Sequence, residues 1–163
     1  MFRIPLARRA LCLLFAALAL LSLCSSCATA QVSPQERLLA MLREETEIPA
    51  GRIYLRSAPT DDAAHLSNAL LAQLFGNGAL PPAVEGIVDA ACYLSYSHPC
   101  ELGVFLCRSA VSAQEVASMC LCRIDFLKAH PTYEGLDPAA VAACLENASV
   151  TLRGSCVILR IWE

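Results

Sequence analysis

The sequence predicts an all-α fold: a small disulfide-stapled helical bundle with a cysteine-free N-terminal helical arm and, at its C-terminus, a short strand or an extended tail. Three observations predict it. Apolar residues recur at helical spacing in most segments of the chain. Past the first thirty residues every cysteine (Cys92, Cys100, Cys107, Cys120, Cys122, Cys144 and Cys156) falls in the second half, which in a secreted chain reads as a disulfide framework. Two of them, Cys120 and Cys122, sit on the amphipathic run from Ser112 to Ala129. Positions two apart on a helix are separated by about 200°, so bonding through both would clamp that helix from two sides.

Residues 1–30 read as a signal peptide. Arg3, Arg8 and Arg9 precede the apolar run Leu11 to Leu23, and Ala28-Thr29-Ala30 offers small residues for cleavage before Gln31. The apolar core is short for a span of about 20 residues. A bacterial lipoprotein acylated at Cys24 or Cys27 is the alternative, and Leu23 fits poorly before Cys24. Cleavage removes three of the 12 basic residues and no acidic one, leaving 9 against 15 and a net charge of −6. That balance lacks the basic footprint of a nucleic-acid binder. It also removes Cys12, Cys24 and Cys27 and leaves seven cysteines, an odd number. At most three intramolecular bridges can then form, with one thiol left over or linking two chains as a homodimer.

Residues 31–81 form the predicted arm. Ser33 and Pro34 occupy the N-cap and N1 positions of a helix with Leu38, Leu39 and Leu42 on one face, stopped by Pro49-Ala50-Gly51. Arg52 to Arg56 alternates as a short strand would, though an isolated strand needs a partner. Thr60-Asp61-Asp62 is expected to cap a second helix bearing Leu66, Leu70 and Leu74, which Gly76-Asn77-Gly78 ends. Asp61, Asp62 and His65 resemble a ligand set, but acids in a first helical turn ordinarily serve the macrodipole.

Leu80-Pro81-Pro82 marks the boundary to a cysteine-rich domain over residues 82–163. Val84, Ile87, Val88, Ala91 and Leu94 predict a third helix, carrying Cys92 and broken at Tyr96-Ser97-His98-Pro99. Cys100 to Cys107 encloses a short, very apolar segment. The helix with Cys120 and Cys122 follows, its start marked by the capping box of Ser112 and Glu115. After the loop Pro131 to Gly135, Asp137 and Pro138 begin a last helix with Val141, Cys144 and Leu145. From Val150 to Trp162 the texture turns β-branched and aromatic, with Val157, Leu159 and Ile161 alternating.

Catalytic patterns are absent from the sequence. His65, His98 and His130 lie in separate segments, and no G-x-S-x-G, H-E-x-x-H or P-loop run occurs. Zinc and redox motifs usually place two residues between their cysteines rather than the one between Cys120 and Cys122. The reading is therefore of a protein that is not an enzyme and uses no cofactor or metal. Asn147-Ala148-Ser149 is a glycosylation sequon after an apolar helix.

Cys120-Leu121-Cys122, followed by Cys144 and Cys156, resembles the second half of the plant non-specific lipid-transfer, 2S-albumin and bifunctional-inhibitor superfamily, with Cys92 and Cys100 similar to its first pair. The likeness runs over residues 84–156; the family's adjacent cysteine pair is missing, and only Cys107 stands in that region. The resemblance implies four short helices around a tunnel for an acyl chain, and pairings Cys92–Cys120, Cys100–Cys107 and Cys122–Cys156 with Cys144 left over. Val104, Phe105, Ile124, Leu127, Val141 and Leu145 are the expected wall residues. The function expected is extracellular binding of a lipid or other apolar molecule, with membrane contact left open. The rival is a secreted protein-interaction module of effector, signalling or inhibitor type, in which the odd cysteine would link two chains as a disulfide dimer.

Overall fold

The centre of the fold is a sheet, and the segment read above as a third helix forms the strand beside its middle one. The structure, a computed structural model, describes residues 32–131, 133 and 135–162. The expected signal peptide, with Cys12, Cys24 and Cys27, lies outside the described residues. Among the described residues four α-helices, α1 (Pro34–Glu44), α2 (Asn68–Phe75), α3 (Ala110–Ala129) and α4 (Pro138–Glu146), accompany five strands: β1 (Gly51–Leu55), β2 (Ile87–Ser95), β3 (Glu101–Cys107), β4 (Ser149–Arg153) and β5 (Cys156–Ile161). All neighbouring strands pair antiparallel in the order β1-β2-β3-β5-β4. The all-α prediction is thus overturned. Among the described residues no helix is long and apolar enough to cross a membrane.

Val84, Ile87, Val88, Ala91 and Leu94 have helical spacing, but Val88 is exposed, whereas the four successive residues Ala90, Ala91, Cys92 and Tyr93 are all buried. A strand covered on both faces is apolar at every position, and any period can be picked out of such a run. The same holds for β3, where Leu102, Val104 and Phe105 are all at most 1% exposed. Gly103 of this strand has no room for a side chain: a Cβ would lie 2.7 Å from the Phe105 ring and 3.4 Å from Leu159.

Register assigns the faces. Glu101, Gly103 and Phe105 stand opposite Ile161, Leu159 and Val157 of β5, and Glu101 bonds Arg123 of α3. Cys156 and Arg160 therefore point the other way, where Arg37 donates to Cys156 Sγ at 3.4 Å and Arg160 pairs with Glu45 at 2.9 Å. So α1 covers one face and α3 the other, and α2 docks on β3 through the edge-on contact of Phe75 with Phe105, ring centres 5.8 Å apart.

Local chemistry places most ends. Ser33 caps α1 in a reciprocal box with Glu36, and Pro34 is its first residue. Asp137 and Pro138 start α4. Two starts differ from expectation. α2 is capped by Ser67, because Asp62 is occupied in a turn, accepting from the Ala64 N–H at 2.7 Å. α3 begins at Ala110, capped by Ser109, which takes the Ser112 N–H at 3.1 Å. The strand predicted at Arg52–Arg56 has its partner in β2, and the chain at residues 64–66 hydrogen-bonds along the outer side of Leu55. The C-terminal alternation becomes the β4–β5 hairpin, whose two-residue turn uses Gly154 at φ 61°.

Cys92, Cys107, Cys120, Cys122 and Cys156 are free thiols, so none of the three pairings implied by the resemblance is formed, and the stapled framework is corrected with the fold class. Geometry gives the reasons. Cys100 and Cys107 sit at opposite ends of β3, roughly 20 Å apart at strand rise, whereas bridged Cα atoms are within about 7 Å. Cys156 faces α1, while Cys122 lies on the exposed side of α3 across the sheet. Cys92 and Cys120 do share one layer, as buried thiols.

Candidate functional site

Among the described residues, three places collect the side chains of interest, and one of them is a largely apolar hollow. It lies between the end of α3 and the start of α4, beside Pro131, Tyr133 and Leu136. Pro131, Tyr133, Leu136, Val141, Ala142 and Leu145 surround a half-open hollow of about 450 Å³, with Lys128 and Glu146 also on its wall. That volume is in the range of small-molecule sites, about 300–1,000 Å³. The two prolines and the Asp137 cap explain why the hollow is there: the loop cannot continue α3, and α4 must restart at an angle. Lys128 and Glu146 take no ion-pair partner among the described residues.

Tyr133 is the polar group of this wall. Burial pushes its hydroxyl up to about 12, with the Glu101 carboxylate adding to the rise and the Arg123 guanidinium opposing it. The phenol therefore stays protonated at physiological pH and is available as a hydrogen-bond donor.

Deeper in the same layer is the pair that sequence reasoning missed. Glu101 is the buried charged residue of the core at 7% exposure. Its Oε1 accepts from Arg123 Nη2 at 2.6 Å and its Oε2 from Nε at 3.2 Å, a two-point fork that fixes the guanidinium plane. A lone acid in an otherwise apolar run was the available signal, since a buried charge requires a partner.

The second place is the thiol layer between sheet and α3. Burial raises Cys107 to about 11, with Cys156 adding to the rise. Cys92 and Cys120 stand well above the ordinary thiol value for the same first reason, with Glu101 acting on both and Cys92 and Cys107 on Cys120. These sulfurs are protonated at neutral pH and are poor nucleophiles. Alkylation of the folded protein should therefore modify Cys122, which is exposed, far ahead of Cys120, which is 0% exposed. Equal rates at the two positions in a peptide map would refute the orientation of α3. Stability should respond to alkali with the matching sign. Unfolded thiols ionise near 9 and the buried ones only at about 11 or above, so the stabilisation is complete below pH 9 and is lost as pH rises through this window. A melting temperature that is flat between these values would contradict it.

The third place holds nothing convergent. His65 Nδ1 lies 2.8 Å from the Ala58 carbonyl, His98 is 2.9 Å from the Ser97 hydroxyl, and His130 caps α3 and stacks on Phe126. Asp61 and Asp62 belong to the turn before α2, and no group of three or more metal-ligating side chains occurs among the described residues.

The expected wall residues divide. Val141 and Leu145 line the hollow. Val104 and Phe105 are successive in β3 and face opposite layers, so no single tunnel can have both in its wall. Ile124 and Leu127 are buried on the inner side of α3. Asn147 is exposed directly after α4. Comparison of the chain with protein-family models, curated proteins and solved structures finds no match.

Proposed function

We propose that the protein is a non-enzymatic binding protein that takes the apolar part of a small amphiphile, such as an acyl chain, into the hollow beside Tyr133. The supporting observation is the hollow itself: about 450 Å³, walled by Leu136, Val141, Ala142 and Leu145. Each methylene moved from water into such a site gains about 0.8 kcal/mol, so a handful suffices for binding without chemistry. Lys128 and Glu146 at the same wall give a charged or polar head group something to meet, and the neutral Tyr133 hydroxyl can donate to it. On this reading the leader carries the protein out of the cell, and the sequon at Asn147 is open to glycosylation. The amphiphile could come from a membrane or from solution.

The test is titration of the purified protein with a single-chain fatty acid and with a fluorescent alkyl probe. Ala142 is exposed and lines the hollow, so Ala142→Trp fills the space without disturbing the core. The wild-type protein should bind, and the variant should lose at least tenfold in affinity, about 1.4 kcal/mol, with an unchanged melting temperature. A wild-type protein that binds neither probe, or a variant that binds as well, would overturn the reading.

A further inference from the structure

We propose that the protein forms a homodimer by pairing β4 with β4 of a second copy, making one continuous antiparallel sheet across a two-fold axis. The proposal starts from the two edges of the sheet. β1 is one edge, and there the backbone of Leu55 already bonds to Ala64 and Leu66. β4 is the other, and beyond its pairing with β5 no backbone hydrogen bond is made by Ser149–Arg153 among the described residues. An uncovered edge is a template for another strand, and a lysine, a proline or a bulge within the edge strand works against that pairing. β4 reads Ser-Val-Thr-Leu-Arg with an unbroken register and none of these devices.

The occupant follows from the edge's own pattern. Arg153 and Cys156 flank a two-residue turn, so Ser149, Thr151 and Arg153 direct their backbone groups to β5 and Val150 and Leu152 direct theirs outward. A second β4 running antiparallel, with Thr151 opposite its own copy, brings Val150 against Leu152 in both directions. Those are the outward-pointing residues, and every outward N–H and C=O of the pair is satisfied reciprocally. On the face toward α3, Val150 meets Leu152, which is 44% exposed in the single chain. On the face toward α1, threonine stands beside threonine, a favourable cross-strand pair, and Ser149 stands beside Arg153 of the other copy. No like charges are opposed.

Charge complementarity strengthens the assignment. Arg37 near the hairpin turn and Glu45 against Arg160 fix the direction of α1, whose C-terminal end lies beside Ser149, because Ser149 is the register partner of Arg160. Glu44 lines the groove between α1 and β4 at that end. The dyad delivers Arg153 of the second copy to Ser149, hence toward Glu44, and repeats the contact by symmetry. An isologous interface must be self-complementary in this way, and an unrelated extended peptide would have no reason to match it.

Sedimentation and light scattering of the protein purified after expression of the complete chain, under reducing conditions, read the result. A dimer is expected. Thr151→Lys sets two cations face to face at the axis, and Arg153→Glu sets a carboxylate toward Glu44; each should raise the dimer dissociation constant by at least about tenfold. The swap E44R/R153E should restore dimerisation, which a merely misfolded variant could not do. A wild-type monomer, a dimer indifferent to T151K and R153E, or a swap that fails to recover would each overturn the proposal.

Discussion

Replacing Arg123 by alanine should cost the protein about 3–5 kcal/mol of stability, because it leaves the Glu101 carboxylate buried and uncompensated. The pair has its charges out of water and a short contact of 2.6 Å. Its worth is asymmetric. Both partners together only roughly repay their desolvation, whereas one alone carries the full penalty. Arg123→Ala should therefore be far more damaging than the joint change of Glu101 and Arg123 to leucine and methionine, which removes both charges and keeps the volume. Urea unfolding of the two variants checks this. A loss below about 1 kcal/mol in Arg123→Ala would mean that water reaches Glu101 and that the pair is not the closed contact described. Against a typical total of about 5–15 kcal/mol, the expected loss is enough to depopulate the native state in a marginal domain. Tyr133 offers a local readout: its hydroxyl is held up in part by Glu101 and lowered by Arg123, so Arg123→Ala should move its titration further upward.

Phe105→Ala should cost a similar amount, about 3–5 kcal/mol. Phe105 is 0% exposed in the central strand, meets Phe75 edge-on at 5.8 Å and lies over Gly103, which has no side chain to close the gap. Alanine would leave a cavity bounded by a strand and by α2, neither free to collapse. Phe105→Leu keeps most of the volume and should lose less. A double-mutant cycle between Phe75 and Phe105 should show a coupling of about 0.5–1.5 kcal/mol from the ring pair. Additive effects would indicate that α2 is not docked on β3. Because α2 follows the β1 edge, this second measurement also tests whether residues 51–75 are held to the sheet by Phe75.

Where the chain's local chemistry decides an element, the sequence reads correctly. Ser33 with Pro34 and Asp137 with Pro138 are side-chain and ring effects within three residues of the helix start, and α1 and α4 begin at those places. Gly76-Asn77-Gly78 ends α2, with Asn77 and Gly78 at positive φ. Val157, Leu159 and Ile161 alternate because one face of β5 is far better covered than the other, and all three are buried. The start of α2 was harder: Thr60-Asp61-Asp62 reads as its cap, yet Asp62 is held in a turn and Ser67 takes the role.

Of the candidate site, Val141 and Leu145 were legible as apolar residues of a helix beside a proline-rich loop, and both line the hollow. Tyr133, Lys128 and the Glu101–Arg123 fork were not. Their roles depend on α3, α4 and β3 meeting in space, and no spacing in the sequence records that.

By itself, then, the sequence determined the caps, the stops, the acidic balance and the one-sided strand, because each is settled by a residue and its near neighbours. Tertiary structure decided whether residues 87–95 and 101–107 are helix or strand, and which partners the cysteines and Glu101 find. The physical reason is that a segment covered on both faces over most of its length carries apolar residues on both, so helical and strand spacings fit it equally. Its periodicity carries no information, and the backbone partners that choose its conformation lie elsewhere in the chain: β5 beside β3, and β1 beside β2.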